Sequence, residues 1–282
     1  MVAYYRPGRL SEALAMLADA PMTVAAGCTD LFPATERRAL SGTVLDLTAI
    51  AGLRGIAATA DGLRIGACTT WTDLLAADLP PAFDMLKQAA AEVGSVQIQN
   101  AGTVGGNLCN ASPAADGVPC LLALDAEVEL ASAAGHRRMP LAGFLTGPRR
   151  TALTGGELLS AVHVPRAAMQ GDSRFLKLGA RRYLVISIAM VAARLSVDSG
   201  RIAEAAVAVG ACSAVARRLP ALEAVLRGAP AADAPRLVRP DLVAPALAPI
   251  SDVRADAAYR HEAAAVLVRR ALAGLIPAGV PA

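Results

Sequence analysis

Apolar positions recur at Leu10, Leu14, Leu17 and Ala18, with spacings of four, three and one, the period of one helix face. Ser11, near the head of that run, predicts a side-chain cap. Met22–Ala26 (MTVAA) is a short apolar run that predicts a buried strand ended by Gly27, and Thr43–Leu47 (TVLDL) predicts a second strand. The first fifty residues thus read β-α-β. Leu53–Ala67 predicts a hairpin, because Asp61–Gly62 is a strong turn pair between two short strands. Thr69–Leu75 (TTWTDLL) reads as a capped helix start, and a helix is expected around Ala82–Val93. A short helix near Val118–Leu124, a strand at Ala126–Ala131 and a strand at Glu157–Pro165, closed by its proline, complete this half.

From about residue 171 the texture changes. Arg174–Val197 predicts long strands, and Arg201–Ala211 continues the sheet. Ser213–Arg227 predicts a helix. Ala229–Pro249, punctuated by Pro230, Pro235, Pro240, Pro245 and Pro249, reads as an extended or partly helical connector. A last helix is expected over about Ala257–Leu275. No internal repeat is visible. The pattern is that of two α+β domains joined near residue 170.

Composition narrows the class. Hydrophobic residues make up 55% of the chain, but alanine supplies much of that and aromatic residues only 3%, so aliphatic cores are expected. The longest apolar stretches, Leu184–Val185–Ile186 and Ala189–Ala193, are broken by Ser187 or ended by Arg194, far short of the ~20 residues of a membrane helix. The opening MVAYYRPGRL lacks the apolar core of a signal peptide. A cytoplasmic protein without a membrane span is therefore expected. The net charge of +3 is small. The arginine pairs, among them Arg37–Arg38, Arg137–Arg138, Arg149–Arg150 and Arg181–Arg182, are scattered with few aromatics between them, which argues against a nucleic-acid partner. The five cysteines include no C-x-x-C, so reduced thiols are expected rather than a zinc ribbon or an iron–sulfur cluster.

Two glycine-containing stretches follow apolar segments: Ala25–Leu31 (AAGCTDL) and Thr103–Asn107 (TVGGN). Glycine lets backbone N–H groups approach a ligand closely, and successive N–H groups in a turn form an anion nest. The hydroxyls of Thr29 and Thr103 and the amide of Asn107 add donors. Two such loops face to face are suited to a pyrophosphate without any Lys or Arg. Neither matches the dinucleotide fingerprint or the Walker pattern, and a lone Gly-Gly pair is more often just a tight turn.

The surrounding residues make the signal specific. Val93–Leu130 (VGSVQIQNAGTVGGNLCNASPAADGVPCLLALDAEVEL) resembles the FAD-binding subunit of the molybdenum hydroxylases, which is the medium subunit of carbon monoxide dehydrogenase-type enzymes and the flavin domain of xanthine dehydrogenase. The family pattern there reads Q-I-R-N-x-x-T-I/V-G-G-N, then S-P-x-x-D; Gln99 stands where Arg is usual. AAGCTDL is similar to the family's A-G-G-T-D-L, with Cys28 in place of the second glycine. KLGARRYLVIS resembles its K-x-G-x-R segment, and Ser251–Leu272 its C-terminal helix. The resemblance covers nearly the whole chain in matching order.

It implies an α+β fold: a PCMH-type (vanillyl-alcohol-oxidase-like) FAD-binding domain over residues 1–170, made of two α/β subdomains at about 1–53 and 54–170, then a C-terminal domain, 171–282, of antiparallel sheet and helices. Carried over by position, the first pyrophosphate loop is Ala25, Ala26, Gly27, Cys28, Thr29, Asp30 and Leu31, and the second is Thr103, Val104, Gly105, Gly106 and Asn107. Asp116 matches a contact to polar parts of FAD, Leu159 a residue whose backbone meets the flavin, and Lys177 a lysine near the flavin ring. Such a lysine would stabilise the anionic reduced ring and raise its potential. Read without the family, Lys177 is a surface strand lysine, Asp116 a helix cap and Leu159 core. Tyr183 is either a stacking partner near the flavin or a strand-edge aromatic. Neither glycine loop holds any of the three histidines (His136, His163 and His261), so noncovalent FAD is expected, with His163 on one face of its strand and His261 at a polar helix position. If the Cys28 position needs a positive φ, Gly27 is expected to carry it. Gln99 removes a charge from an interdomain or FAD contact.

The resemblance further implies one flavin, with no catalytic residue and no metal ligand in this chain. Substrate would be hydroxylated on a molybdopterin-containing large subunit. Electrons would arrive through a [2Fe–2S] small subunit and leave from FAD to NAD, a quinone or oxygen, in a dimer of heterotrimers. Two other readings stay open: a stand-alone FAD oxidoreductase, for which the sequence offers no strong general base, and a noncatalytic scaffold subunit with weak FAD binding, which Cys28 and Gln99 alone support.

Overall fold

The computed structural model describes residues 3–36, 40 and 42–276. Arg37 and Arg38 lie outside them. The chain begins with strand β1 (Tyr4–Tyr5), helix α1 (Leu10–Asp19) and strands β2 (Thr23–Ala25) and β3 (Val44–Asp46). The strands form a parallel sheet in the order β1-β3-β2. Ala13 and Leu14 of α1 pack on Leu45, Leu47, Ile50 and Leu53 in a small core, with Leu10 and Leu17 alongside, while Ala18 is exposed. Ser11 is not the cap: Arg9 holds that position without a side-chain bond, and Ser11 lies inside the first turn. The strand expected at Met22–Ala26 is present but only Ala25 is buried; Val24 faces a cleft described below.

The second unit is built on an antiparallel sheet in the order β4-β5-β10-β6-β7. Strands β4 (Ile56–Thr59) and β5 (Gly62–Gly66) are the expected hairpin, pairing Thr59 with Gly62 across the turn. Helix α2 (Trp71–Ala76) starts on a capping box in which Thr70 accepts from Asp73 N–H and Asp73 accepts from Thr70 N–H. A 3₁₀ turn at Pro81–Phe83 leads into α3 (Asp84–Glu92), and then come α4 (Val96–Ala101), α5 (Val104–Asn110) and α6 (Gly117–Ala123). Strand β6 (Glu127–Ser132) pairs with β7 (Gly135–Pro140), an almost wholly exposed edge strand whose polar residues give no alternation to announce it. A short helix α7 (Leu141–Phe144) and a small ladder of β8 (Leu145–Gly147) and β9 (Arg150–Thr151) precede β10 (Leu158–Pro165). β10 is the central strand, buried along nearly its whole length. Trp71, Phe83, Phe144, Leu86 and Leu121 fill the core between helices and sheet.

The last unit is an antiparallel sheet of β11 (Asp172–Leu178), β12 (Ala189–Asp198), β13 (Arg201–Gly210) and the two-residue β14 (Arg217–Arg218). The long strands expected over Arg174–Val197 are divided by a bend at 179–188, where Leu184 takes φ +51°. Helix α8 spans only Pro220–Leu226; it starts at the proline because Pro has no N–H to leave unsatisfied at a first helical position. The proline-rich connector is partly helical, with α9 at Pro240–Val243. Helix α10 (Ala257–Ala273), capped by Asp256, packs on β11 and β12. Ala264, Val268 and Leu272 meet Val191, Val207 and Val209 in an aliphatic core. No helix among the described residues is long and apolar enough to cross a membrane.

Candidate functional site

A cleft of ≈ 550 Å³ opens between the parallel sheet and the α4–α5 segment, within the size range of ligand sites. Gly27–Leu31 forms one wall and Gly102–Asn110 the other. Leu158 and Leu159 of β10, with Ala67, Cys68 and Trp71, form the floor. No Lys or Arg is among the lining residues, and the charged ones are Asp30 and Glu157.

The first glycine loop is where it was expected. Gly27 lies against the α4–α5 junction so closely that a Cβ there would sit 2.0 Å from the Ala101 carbonyl oxygen. Only glycine allows this approach. The special backbone conformation is not at Gly27, however. Cys28 itself takes φ +58°, a left-handed conformation that costs a non-glycine residue about 1–2 kcal/mol. Its thiol donates weakly to the Ala26 carbonyl at 3.5 Å. The carbonyls of Cys28 and Asp30 are used, accepting from Phe32 and Ala34 N–H. The N–H groups of Gly27, Cys28, Thr29, Asp30 and Leu31 meet no acceptor among the described residues. A run of free donors around a left-handed residue is what an anion nest is built from.

The second glycine stretch is not a loop. It is the first turn of α5, with Thr103 as its cap. Thr103 Oγ1 accepts from Gly106 N–H at 3.0 Å, and Thr103 O from Asn107 N–H at 3.0 Å. Val104 N–H donates to Thr69 O at 2.9 Å, and Gly105 N–H to Ala67 O at 2.8 Å. The donors that a helix start leaves free are therefore already used within the protein. Gly105 is glycine for packing, since a Cβ would lie 2.7 Å from both the Cβ and the oxygen of Ala67. What this wall offers the cleft is the Asn107 side chain. Its Oδ1 is buried with no partner among the described residues, a state that costs about 1–3 kcal/mol unless a donor arrives.

Of the other expected residues, Ala25 and Val104 are buried behind the walls. Leu159 lines the cleft beside a register shift between Leu159 and Ala161, the kind of irregularity that re-aims a strand residue. Asp116 and Lys177 are not lining residues. They form a buried ion pair, with Lys177 Nζ 2.6 Å from Asp116 Oδ2. Lys177 is thus no surface lysine. Asp116 holds the cap position of α6 but makes no cap bond; its other oxygen accepts from Ser187 Oγ at 2.7 Å. Burial pushes the Asp116 carboxyl above its ordinary value, against the pull of Lys177 and Ser187.

Gln99 does not reach the cleft: its amide donates to the carbonyls of Ala91 and Val93, tying α4 to the end of α3. Tyr183 is exposed on the 179–188 bend, under the Arg182 guanidinium. His163 is buried against Glu129 at 2.9 Å, and His261 has a buried Nδ1 with no partner among the described residues. Sequence reasoning missed Trp71, Cys68, Cys109 and Glu157 as lining residues, which come together only through the fold. Desolvation pushes the buried Cys68 thiol up to about 11, so it is neutral lining near pH 7, whereas Cys109 is an exposed lining thiol. The Arg137 guanidinium, hydrogen-bonded to Glu157, holds that carboxyl down at about 2. Among the described residues no group of three or more His, Cys, Asp and Glu could hold a metal ion.

A ligand that fits this cleft brings an anion to the free N–H groups of residues 27–31 and polar groups to the side chains of Thr29 and Asn107. A nucleotide diphosphate with hydroxyl groups, as in FAD, meets both demands. Comparisons with known proteins agree with that chemistry. Residues 1–167 match the family model described as FAD binding domain in molybdopterin dehydrogenase, and residues 174–275 the CO dehydrogenase flavoprotein C-terminal domain. The xanthine dehydrogenase FAD-binding subunit of Escherichia coli O157:H7 is 35% identical over 213 residues, 73% of each chain. The carbon monoxide dehydrogenase medium chain of Afipia carboxidovorans is 32% identical over 283 residues, covering 95% of this chain and 94% of that one. Among solved structures, reconstituted CO dehydrogenase from Oligotropha carboxidovorans superposes with a TM-score of 0.90 at 27% identity, over 98% of this chain and 97% of that one.

Proposed function

The chain belongs to the family of FAD-binding subunits of molybdenum hydroxylases of the xanthine and CO dehydrogenase type, and on that premise we propose that it is an electron-transfer subunit whose cleft holds FAD noncovalently. The observation that carries the reading is the row of N–H groups at Gly27–Leu31, which meet no acceptor among the described residues, in one wall of a cleft whose other wall includes Asn107 and whose lining holds no Lys or Arg. In this reading the 27–31 loop holds the diphosphate, helped by the Thr29 hydroxyl, and the Asn107 side chain meets a polar group of the ligand from the opposite wall. Gly106 keeps the opposite wall low. Leu159 offers backbone to the ring system, and the Asp116–Lys177 pair adjoins the cleft wall through Gly117. FAD supplies a carrier that accepts electrons singly and releases them in pairs. The protein's part is to bind, to orient and to keep one edge of the site open.

The division at residue 170, into a flavin-binding part and a C-terminal part that closes the site, belongs to the same proposal. So do the partners: a molybdopterin-containing large subunit where substrate is hydroxylated, a [2Fe–2S] small subunit that delivers electrons, and an acceptor that is NAD, a quinone or oxygen. A dimer of heterotrimers in the cytoplasm is the assembly this reading favours. Trp71 is the chain's one tryptophan and lines the cleft. Titrating the purified chain with FAD is expected to quench its emission and to saturate at one flavin per chain. Unchanged emission, together with no flavin retained on filtration, would contradict the proposal.

A further inference from the structure

Asp116 is held from one side by the C-terminal sheet. Lys177, near the end of β11, and Ser187, at the far end of the 179–188 bend, each take one of its oxygens, at 2.6 and 2.7 Å. All three residues are buried or nearly so. Ser187 is itself fixed. Its neighbour Ile188 donates to Leu178 O at 2.7 Å, which closes the bend, and the Ile188 carbonyl accepts from the buried Arg260 guanidinium at 2.6 Å. On its other side Asp116 adjoins the cleft wall. Gly117, the next residue, is packed so closely that a Cβ would lie 2.6 Å from Trp71 Cη2 and 3.2 Å from Asn107 Oδ1. Trp71 and Asn107 both line the cleft. Interiors this close-packed transmit small displacements rather than absorb them.

Resting on the flavin reading above, we infer that Ser187 is a positioning residue of the cleft: it holds the Asp116 carboxylate so that Gly117 presses the wall bearing Trp71 and Asn107 into its binding position. Helix capping does not account for the placement of Asp116, because the cap bond is absent. The Lys177 pair alone does not account for it either, since one ammonium fixes one oxygen and leaves the carboxylate free to pivot about that contact. The hydroxyl of Ser187 supplies the second point. A buried carboxylate with one donor removed also moves toward its neutral form, which loosens the grip of Lys177.

The test compares the full-length chain with Ser187→Ala and Ser187→Thr. Two quantities are read: the emission maximum of Trp71 without flavin, and the FAD dissociation constant from its quenching. Ser187→Ala is expected to shift emission toward longer wavelength and to weaken FAD roughly three- to tenfold, the scale of one ordinary hydrogen bond, since the lost bond acts on the ligand only through the wall. Ser187→Thr, which keeps the hydroxyl, restores both. A merely structural serine would lower the denaturation midpoint and leave the emission and affinity of the folded chain at wild-type values; that result overturns the inference. If the wild-type chain binds no FAD, the flavin reading falls, and the emission comparison alone decides the role of Ser187. Ser187→Cys, which keeps the volume and weakens the donor, carries the same test if the alanine variant does not fold.

Discussion

Lys177 Nζ lies 2.6 Å from Asp116 Oδ2, with the two side chains 8% and 7% exposed. A pair this deep is costly to break from one side, because the remaining charge is stranded. Lys177→Met is therefore expected to destabilise the chain by about 3–5 kcal/mol. The double variant Lys177→Met with Asp116→Leu is expected to lose far less than the sum of the two single changes. Urea denaturation of the four proteins, read at constant slope, checks this; additive losses would show that the pair is not coupled.

Gly105 and Gly106 are adjacent and expected to differ. A Cβ on Gly105 meets the backbone and Cβ of Ala67 at 2.7 Å, whereas one on Gly106 meets only Thr103 Oγ1, at 2.8 Å. Gly105→Ala must push the backbone of Ala67 aside and is expected to cost about 1–3 kcal/mol, the usual range for overpacking. Gly106→Ala disturbs the Thr103 cap, worth about 1 kcal/mol, and narrows the cleft. Calorimetric melting and FAD titration on both variants separate the effects: stability falls more at Gly105, and affinity falls in the folded Gly106 variant.

Cys28 departs from the glycine that the family places there, and it takes φ +58°. Replacing it with glycine removes the left-handed penalty and adds some unfolded-state entropy. The balance favours Cys28→Gly by about 0.5–1 kcal/mol. A denaturation midpoint at or below that of the wild type would contradict this account of the loop.

Acid is expected to weaken the fold through carboxylates held by arginine. Glu157 sits at about 2 beside Arg137, and Asp73 at about 2 beside Arg54. Both values lie below the ordinary ones, so the unfolded chain binds more protons than the folded chain in the interval between. The stability these groups contribute is fully present above their ordinary values near 4.5 and 3.8, and is lost as pH falls toward 2. Asp116 acts in the opposite sense, since burial raises its carboxyl. Denaturation midpoints measured from pH 6 down to pH 2.5 are expected to fall, and in Glu157→Gln to fall less steeply.

Much of the fold was legible where the signal is local. Asp61–Gly62 announced its hairpin, and Thr69–Leu75 its capped helix start, because turn and cap chemistry involve residues within four of each other. The last helix, expected over about Ala257–Leu275, is present at Ala257–Ala273. The Thr103–Asn107 stretch was misread as a loop because two glycines resemble turn chemistry. What makes it helical is the cap of Thr103 together with carbonyls of Ala67 and Thr69 more than thirty residues away. Likewise, the partner of Asp116 lies 61 residues on. The resemblance placed both residues near one ligand, but neither pattern nor propensity shows that they meet. The polar edge strand Gly135–Pro140 carries no alternation and went unseen.

The central claim, that this cleft holds FAD on the free N–H groups of residues 27–31, is tested most directly by the visible absorption spectrum of the full-length chain after incubation with FAD and removal of the unbound flavin. The account predicts a retained flavin band at one equivalent per chain, released intact by acid because no covalent bond holds it. A colourless protein that retains no flavin would contradict it.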